Sequence, residues 1–429
     1  MTESTKLIEQ IGQGVHDGDF SLLYGANGVE AARTRYVKAV ESFVLLYGNQ
    51  EVSLFSAPGR TEIGGNHTDH QHGRVLAASI NLDVIAVVAK NSENTVRIKS
   101  EGYPADEIKL NHLIPMDGEI EKAASLIRGV CARFKDLGYS IGGFNAYTVS
   151  NVLKGSGLSS SAAFEVLVGT VMSGVYNGGA VSAVEIAKIG QYAERNFFGK
   201  PSGLMDQTAS SVGGFVSIDF KNNETPVIES VKFNFDSVNH SLCIVDTGGD
   251  HADLTSDYAS ITEEMREVAT LLGGNLLREV DDGDFLKSIP SIRSKCSDRA
   301  ILRAIHFFSD NHRVTLEVDA LKRGDFEEFK RLIIESGDSS YKYLQNIYSV
   351  NNVRAQCVSL ALAVSEMLLE GKGAWRVHGG GFGGTIQAFV PNDMLDTYKT
   401  TIESVMGAGS CYILKIRPVG GYELNGERK

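Results

Sequence analysis

The run Lys154-Gly155-Ser156-Gly157-Leu158-Ser159-Ser160-Ser161-Ala162-Ala163 limits the possible folds more than any other part of this chain, because it joins a strand-like segment to a helix. Before it, Tyr147 and Val149 alternate with polar neighbours over 145–150, the period of a strand. After it, Phe164, Leu167, Val168, Val171, Met172 and Val175 recur at offsets of three and four, one apolar helical stripe that reads as core. Glycines at such a junction let the backbone approach an anion, and the first helical turn supplies unpaired N–H groups and the positive end of the dipole. The same residues fit a serine-capped helix after a tight turn. No Gly-Lys-Ser/Thr closes the run and no third glycine follows Gly155 and Gly157 at the dinucleotide offset, so it is neither a Walker loop nor a Rossmann fingerprint.

Three further loops are rich in glycine and polar groups. Ser56 to Gly73, which contains Arg60, Glu62, Asn66, His67, Asp69, His70 and His72, carries the donors and acceptors that a polyhydroxylated ligand needs; a metal site and an exposed turn are the other readings. Gly199 to Gln207 sets Asp206 after a Gly/Pro turn, with Glu194 upstream at the end of a helix. Asp206 suits a base, a metal ligand or a solvated surface position. Arg376 to Gly384 holds five glycines in six positions before a strand, either a close approach to a ligand or a plain hairpin.

The length of 429 residues exceeds what one core usually organises, so two domains around a cleft are expected. The apolar run Val75 to Val88 is interrupted by Ser79, Asn81 and Asp83, unlike a membrane span. A start without a basic, apolar leader points to the cytosol. The net charge of −12 argues against a nucleic-acid partner, and neither composition nor patterning calls for a membrane. Five scattered cysteines without a C-x-x-C pair read as reduced thiols. A monomer is the expected state.

Along the chain, residues 1–25 look like an appendage, followed by an amphipathic helix over Val29 to Tyr47 with Tyr36, Val40, Phe43 and Tyr47 on one face. Ser182 to Glu185 has capping-box spacing. Strands are expected near 75–88, 95–99, 145–150, 213–219 and 241–246, helices from about 254 to 370, then strands near 386–390 and 412–416. The expected division is an extension at 1–25, a first domain at 26–220 and a second at 221–429.

Together, in this order, the four loops resemble the galactokinase branch of the GHMP small-molecule kinases over most of residues 26–429. Arg60 to Gly73 is similar to the sugar-binding signature, normally Gly-Arg-x-Asn-x-Ile-Gly-Glu-His-Thr-Asp-Tyr; Gly155 to Ala163 resembles the ATP-phosphate motif, Gly381 to Gly384 the C-terminal glycine-rich motif, and Gly203-Leu204-Met205-Asp206-Gln207 the segment with the catalytic aspartate. The resemblance implies a mixed α/β (α+β) fold of two domains with the active site in the cleft between them, and an ATP-dependent kinase acting on the C1 hydroxyl of galactose.

It further implies Asp206 as base and Arg60 as its partner, and Asn66, His67, Asp69, Gly203 and Tyr258 as sugar contacts. Gly155, Ser156, Gly157, Leu158, Ser159, Ser160 and Ser161 would surround the phosphates, with Ser161 and Glu194 as Mg²⁺ ligands. Sugar and ATP would be the partners.

The sequence departs from the signature at Asn66, where the family has Glu, and at His70, where it has Tyr. An amide in place of the carboxylate that meets the sugar near C6 raises a C6-altered sugar such as galacturonate as the substrate. Leu153 stands where a proline often opens the phosphate motif, and Ala259-Ser260-Ile261 replaces the basic residues that usually follow the tyrosine. Sugar-sensing relatives without activity lack the Ser-Ala pair that is present here as Ser161-Ala162, so an enzyme is favoured over a sensor. The isoprenoid-pathway relatives lack the His-Thr-Asp loop.

Overall fold

The computed structural model describes residues 1–153, 157–249 and 254–425. Two long strands, Glu51–Gly64 and Arg74–Lys90, pair antiparallel and form the spine of a nine-stranded sheet among these residues. The second half of Arg74–Lys90 pairs with Phe144–Ser150, and its first half with Phe215–Asp219. Alternation along the spine faces residues both ways, as a sheet covered on two sides requires. Phe55, Ala57, Ala86 and Val88 pack toward helices Ala123–Asp136 and Ser160–Asn177. Val52, Leu54, Ile85 and Val87 pack against Leu7, Ile11, Phe20, Leu23, Tyr36, Val40 and Phe43.

The expected appendage is therefore part of the core. Residues 1–25 contain an edge strand, Thr2–Glu3, paired to the spine, and helices Ser4–Gly12 and Asp17–Tyr24. Their apolar positions are few and interspersed with acidic residues, which concealed the burial. Helix Val29–Tyr47 buries Tyr36, Val40 and Phe43 as its spacing predicts.

The second lobe is built on a four-stranded antiparallel sheet in the order Ala374–His378, Thr385–Pro391, His240–Asp246, Cys411–Leu414. Helices Cys357–Leu369 and Leu395–Met406 back it, and a helical body runs from Thr255 to Ser339. The division expected near residue 220 falls later in the strand pattern, because Val227–Val231 still pairs within the first sheet. The chain end also returns there: Ile416 bridges Ile80, and Tyr422–Leu424 pairs with Leu54–Ser56. No helix among the described residues is long and apolar enough to cross a membrane.

Candidate active site between the lobes

Register between the two spine strands slips between Pro58 and Arg60 and again between Glu62 and Gly64. Bulges of this kind turn a side chain out of the regular pleat, and here they flank Arg60. The Arg60 Nε donates to Asp206 Oδ1 at 2.7 Å, across 146 positions of sequence. Its Nη1 donates to the Gly157 carbonyl, and its backbone N–H to Leu158 O at 3.1 Å. Asp206 lies in the first turn of helix Met205–Val212, and its side chain keeps a quarter of its surface exposed to the cleft. Burial works to raise its pKa, but the Arg60 guanidinium and the Arg60 and Ser159 hydrogen bonds outweigh it and hold the carboxyl below its ordinary value.

Ser159 precedes helix Ser160–Asn177 in a left-handed conformation and makes no capping hydrogen bond. Its hydroxyl donates instead to Asp206 Oδ2, so the capped-helix reading gives way to a loop tied to the carboxylate. Leu158 is buried and contributes its carbonyl; Ser160 and Ser161 line a cavity of about 800 Å³, with Val152, Leu153, Phe164 and Tyr103 among its other walls. Gly155 and Ser156 lie outside the described residues.

Helix Ala183–Ala193 widens into a π turn at Glu194–Phe198, a local change of pitch often found at functional sites. It places the buried Glu194 with Oε1 3.3 Å from Ser161 Oγ and 2.9 Å from Lys200 Nζ. Gln207 Nε2 donates to Glu194 Oε2 at 2.8 Å and to Glu165 Oε2 at 2.9 Å. A hydroxyl beside a buried carboxylate is a fitting pair of oxygen donors for Mg²⁺, which takes few protein ligands when it also binds phosphates.

Asp69 and Gly203 adjoin one another across the cleft: a β-carbon at Gly203 would stand 3.4 Å from Asp69 Oδ2. His67 turns the other way, toward the glycine-rich hairpin. Its Nε2 donates to Gly380 O at 3.1 Å, and burial, reinforced by the neighbouring His70, pushes its pKa down to about 4. Tyr258 Oη donates to Gly381 O at 3.1 Å and its ring meets Phe382 edge-on. A β-carbon at Gly381, which has φ of +81°, would collide with Asn346 O, so the hairpin needs glycine there.

Asn66 is not placed as the sugar contact expected of it. It is fully buried, and its side chain is saturated by protein: Nδ2 donates to Glu62 Oε1 at 3.0 Å and Gly379 O at 2.7 Å, while Oδ1 accepts from Asn346 Nδ2 at 2.8 Å and Ser340 Oγ at 3.2 Å. An amide has two donor hydrogens and two acceptor lone pairs, and all four are used. Its backbone is held as well, N–H to Asp310 Oδ2 and carbonyl from His306 Nε2, both at 2.9 Å.

Two more departures from the signature explain this. Glu62 stands where the signature has Asn and Gly64 where it has Ile. The amide and carboxylate at 62 and 66 are thus exchanged, and Glu62 also pairs with buried Arg376 at 2.9 Å. Gly64 leaves the space that Glu317 fills. The signature comparison contained that signal; Asn346, Ser340 and Glu317 had none. His378, bonded to Thr61 at 3.0 Å and Thr385 at 2.8 Å, also escaped sequence reading.

Glu317 is enclosed with neither carboxylate oxygen hydrogen-bonded, and burial, with Asp310 nearby, pushes its pKa from 4.5 up to about 8. Below pH 4.5 the folded and unfolded chains both hold this proton. Between 4.5 and 8 only the folded chain does, so stability falls by about 1.4 kcal/mol per pH unit and then levels off. Glu317→Gln removes this slope: its urea midpoint is expected to match the wild type near pH 5 and exceed it increasingly toward pH 8. A constant offset across that range would show that Glu317 does not titrate there.

Residues 41–90 match the galactokinase galactose-binding signature, and residues 125–214 the N-terminal domain of the GHMP kinases. A galactokinase of Streptomyces coelicolor is 27% identical over 86% of this chain and 92% of its own. One from Actinobacillus pleuropneumoniae is 29% identical over 85% and 92%. The crystal structure of Lactococcus lactis galactokinase complexed with galactose superposes with a TM-score of 0.74 at 26% identity, covering 91% of this chain and 99% of that one. Mevalonate kinase of Methanococcus jannaschii, at 16% identity and a TM-score of 0.62 over 85% of this chain, shares the fold. The chain thus carries the galactokinase galactose-binding signature and the GHMP kinase N-terminal domain, and over most of its length it is similar to galactokinases in sequence and in fold.

Proposed function

We propose that this protein is a galactokinase that transfers the γ-phosphoryl group of ATP to the C1 hydroxyl of D-galactose, giving galactose 1-phosphate and ADP. The observation that carries the reading is the carboxylate of Asp206, clamped by Arg60 and Ser159 and facing the cleft beside the phosphate loop. The C1 oxygen forms the new bond to the γ-phosphorus, the bond from that phosphorus to the β,γ-bridging oxygen breaks, and the hydroxyl proton passes to Asp206. Arg60 keeps Asp206 ionised at neutral pH and adds positive charge near the transferring group, so positioning and electrostatics supply most of the catalysis.

Asp69 and Gly203 are proposed to meet the sugar directly. His67 and Tyr258, already bonded to the hairpin, would offer their remaining edges. The cavity beside Ser160 and Ser161 suits the nucleoside, with apolar walls for the base. Ser161 and Glu194 would hold Mg²⁺, which supplies charge neutralisation on the phosphates. The unpaired cysteines suit a cytoplasmic setting. Galacturonate loses its main support, since that reading needed Asn66 against the sugar.

Purified protein with Mg-ATP is expected to release ADP in a galactose-dependent reaction and to give an anomeric phosphate by phosphorus NMR. Preference for galacturonate in the same assay would overturn the assignment of substrate. Sugar binding without turnover would favour a sensor.

A further inference from the structure

We infer that Asn66 is a positioning residue, which latches the glycine-rich hairpin of the second lobe onto the signature loop of the first and does not read the sugar. The inference deepens the galactokinase reading, on which its kinetic test rests. Asn66 Nδ2 holds the Gly379 carbonyl, and Asn346, itself bonded to Asn66 Oδ1, donates to Gly380 O at 3.2 Å and accepts from the Phe382 N–H at 2.6 Å. The adjacent His67 takes the same Gly380 carbonyl. Residues 66 and 67 and residue 346 thus bind successive peptide groups of one hairpin. That hairpin sits against Tyr258, whose hydroxyl takes Gly381 O.

With every donor and acceptor of the Asn66 amide engaged inside the protein, reaching a sugar hydroxyl would leave buried groups at Glu62, Gly379 or Asn346 unpaired, which is unfavourable. The exchange of amide and carboxylate between positions 62 and 66 keeps the pair bonded and moves the carboxylate to Arg376. Position 66 has become part of the seam between the lobes. It acts on the sugar through His67 and the hairpin.

Asn66→Asp preserves shape and removes both donor hydrogens. Amides of residues 379–384 should then exchange with deuterium about 10-fold faster or more, the loss of one buried hydrogen bond. In the same variant kcat/KM for galactose and for 6-deoxygalactose should fall by a common factor of about 10 or more, with KM for ATP nearly unchanged. Unchanged exchange in the hairpin would overturn the inference, as would loss of activity toward galactose with 6-deoxygalactose spared, the mark of a residue that reads the C6 hydroxyl. Should Asn66→Asp fail to fold, Glu62→Gln added to it restores a donor between positions 62 and 66 and is expected to recover folding but not hairpin protection, because Gly379 O still lacks its donor; wild-type protection of the hairpin in the double variant would overturn the latch. Wild-type protein that phosphorylates neither sugar would refute the functional proposal, while hydrogen exchange would still decide the latch.

Discussion

Asp206→Asn is expected to lower kcat by about 1000-fold while changing KM for galactose less than about tenfold. The substitution is isosteric, so the helix start and the donor from Ser159 remain, but an amide cannot take the proton of the C1 hydroxyl. Arg60 also loses the charge that its Nε meets at 2.7 Å. Steady-state kinetics against both substrates, with sugar affinity measured separately by calorimetry, checks the result. A fall of less than tenfold in kcat would remove Asp206 as the base. The wild-type pH profile provides a companion measurement. Because the Asp206 carboxyl lies below its ordinary value of 3.8, the base stays ionised as pH falls from neutral. Any acid limb should then follow other groups or unfolding until pH drops under that value. A limb centred near pH 6 that disappears in the Asn variant would mean that the carboxyl is raised.

Asp83→Asn is expected to destabilise the protein by about 3–5 kcal/mol, read as a shift in urea unfolding. Asp83 is fully buried in the spine strand and accepts hydrogen bonds from Tyr24 at 2.6 Å, Ser56, Arg35 and Arg417 at 3.2 Å. Burial opposes ionisation, but Arg35 and Arg417 outweigh it and keep the carboxyl below its ordinary value. An amide there places a donor among donors and leaves the wholly buried Arg417 without its counter-charge. The four partners come from the N-terminal helix pair, the helix Val29–Tyr47, the spine and the returning chain end, so one carboxylate ties the first 25 residues and the last strand to the sheet. A loss below 1 kcal/mol would show that the segments are held by apolar packing alone. The folded pKa is depressed, so this stabilisation is present above the unfolded value and lost as pH falls through the folded one.

The helix after the phosphate loop, the strands on either side of it and the helix Val29–Tyr47 were legible because periodicity is local: a stripe at offsets of three and four needs no knowledge of what covers it. Residues 1–25 were misread for the complementary reason. Leu7, Ile11, Phe20 and Leu23 are too sparse to announce a core, and become one only against Val52, Leu54, Ile85 and Val87. At the site, motif order singled out Arg60 and Asp206 and the pair Ser161 and Glu194, which the fold brings together. It did not foresee that Ser159 serves Asp206 in place of its own helix.

Asn66 marks the boundary most clearly. Read by its place in the signature, it is a sugar-contacting amide, and its difference from the family carboxylate suggests altered specificity. Its partners lie 280 and 313 positions away at Asn346 and Gly379, and only their approach shows that its hydrogen-bonding capacity is consumed. The sequence alone determined the four loops, their glycine-dependent backbones and the acid–base residue types they present, because these depend on neighbours in the chain. The tertiary structure alone decided which of those side chains face the cleft and which close the seam, because saturation of a buried polar group is settled by residues that sequence separation hides.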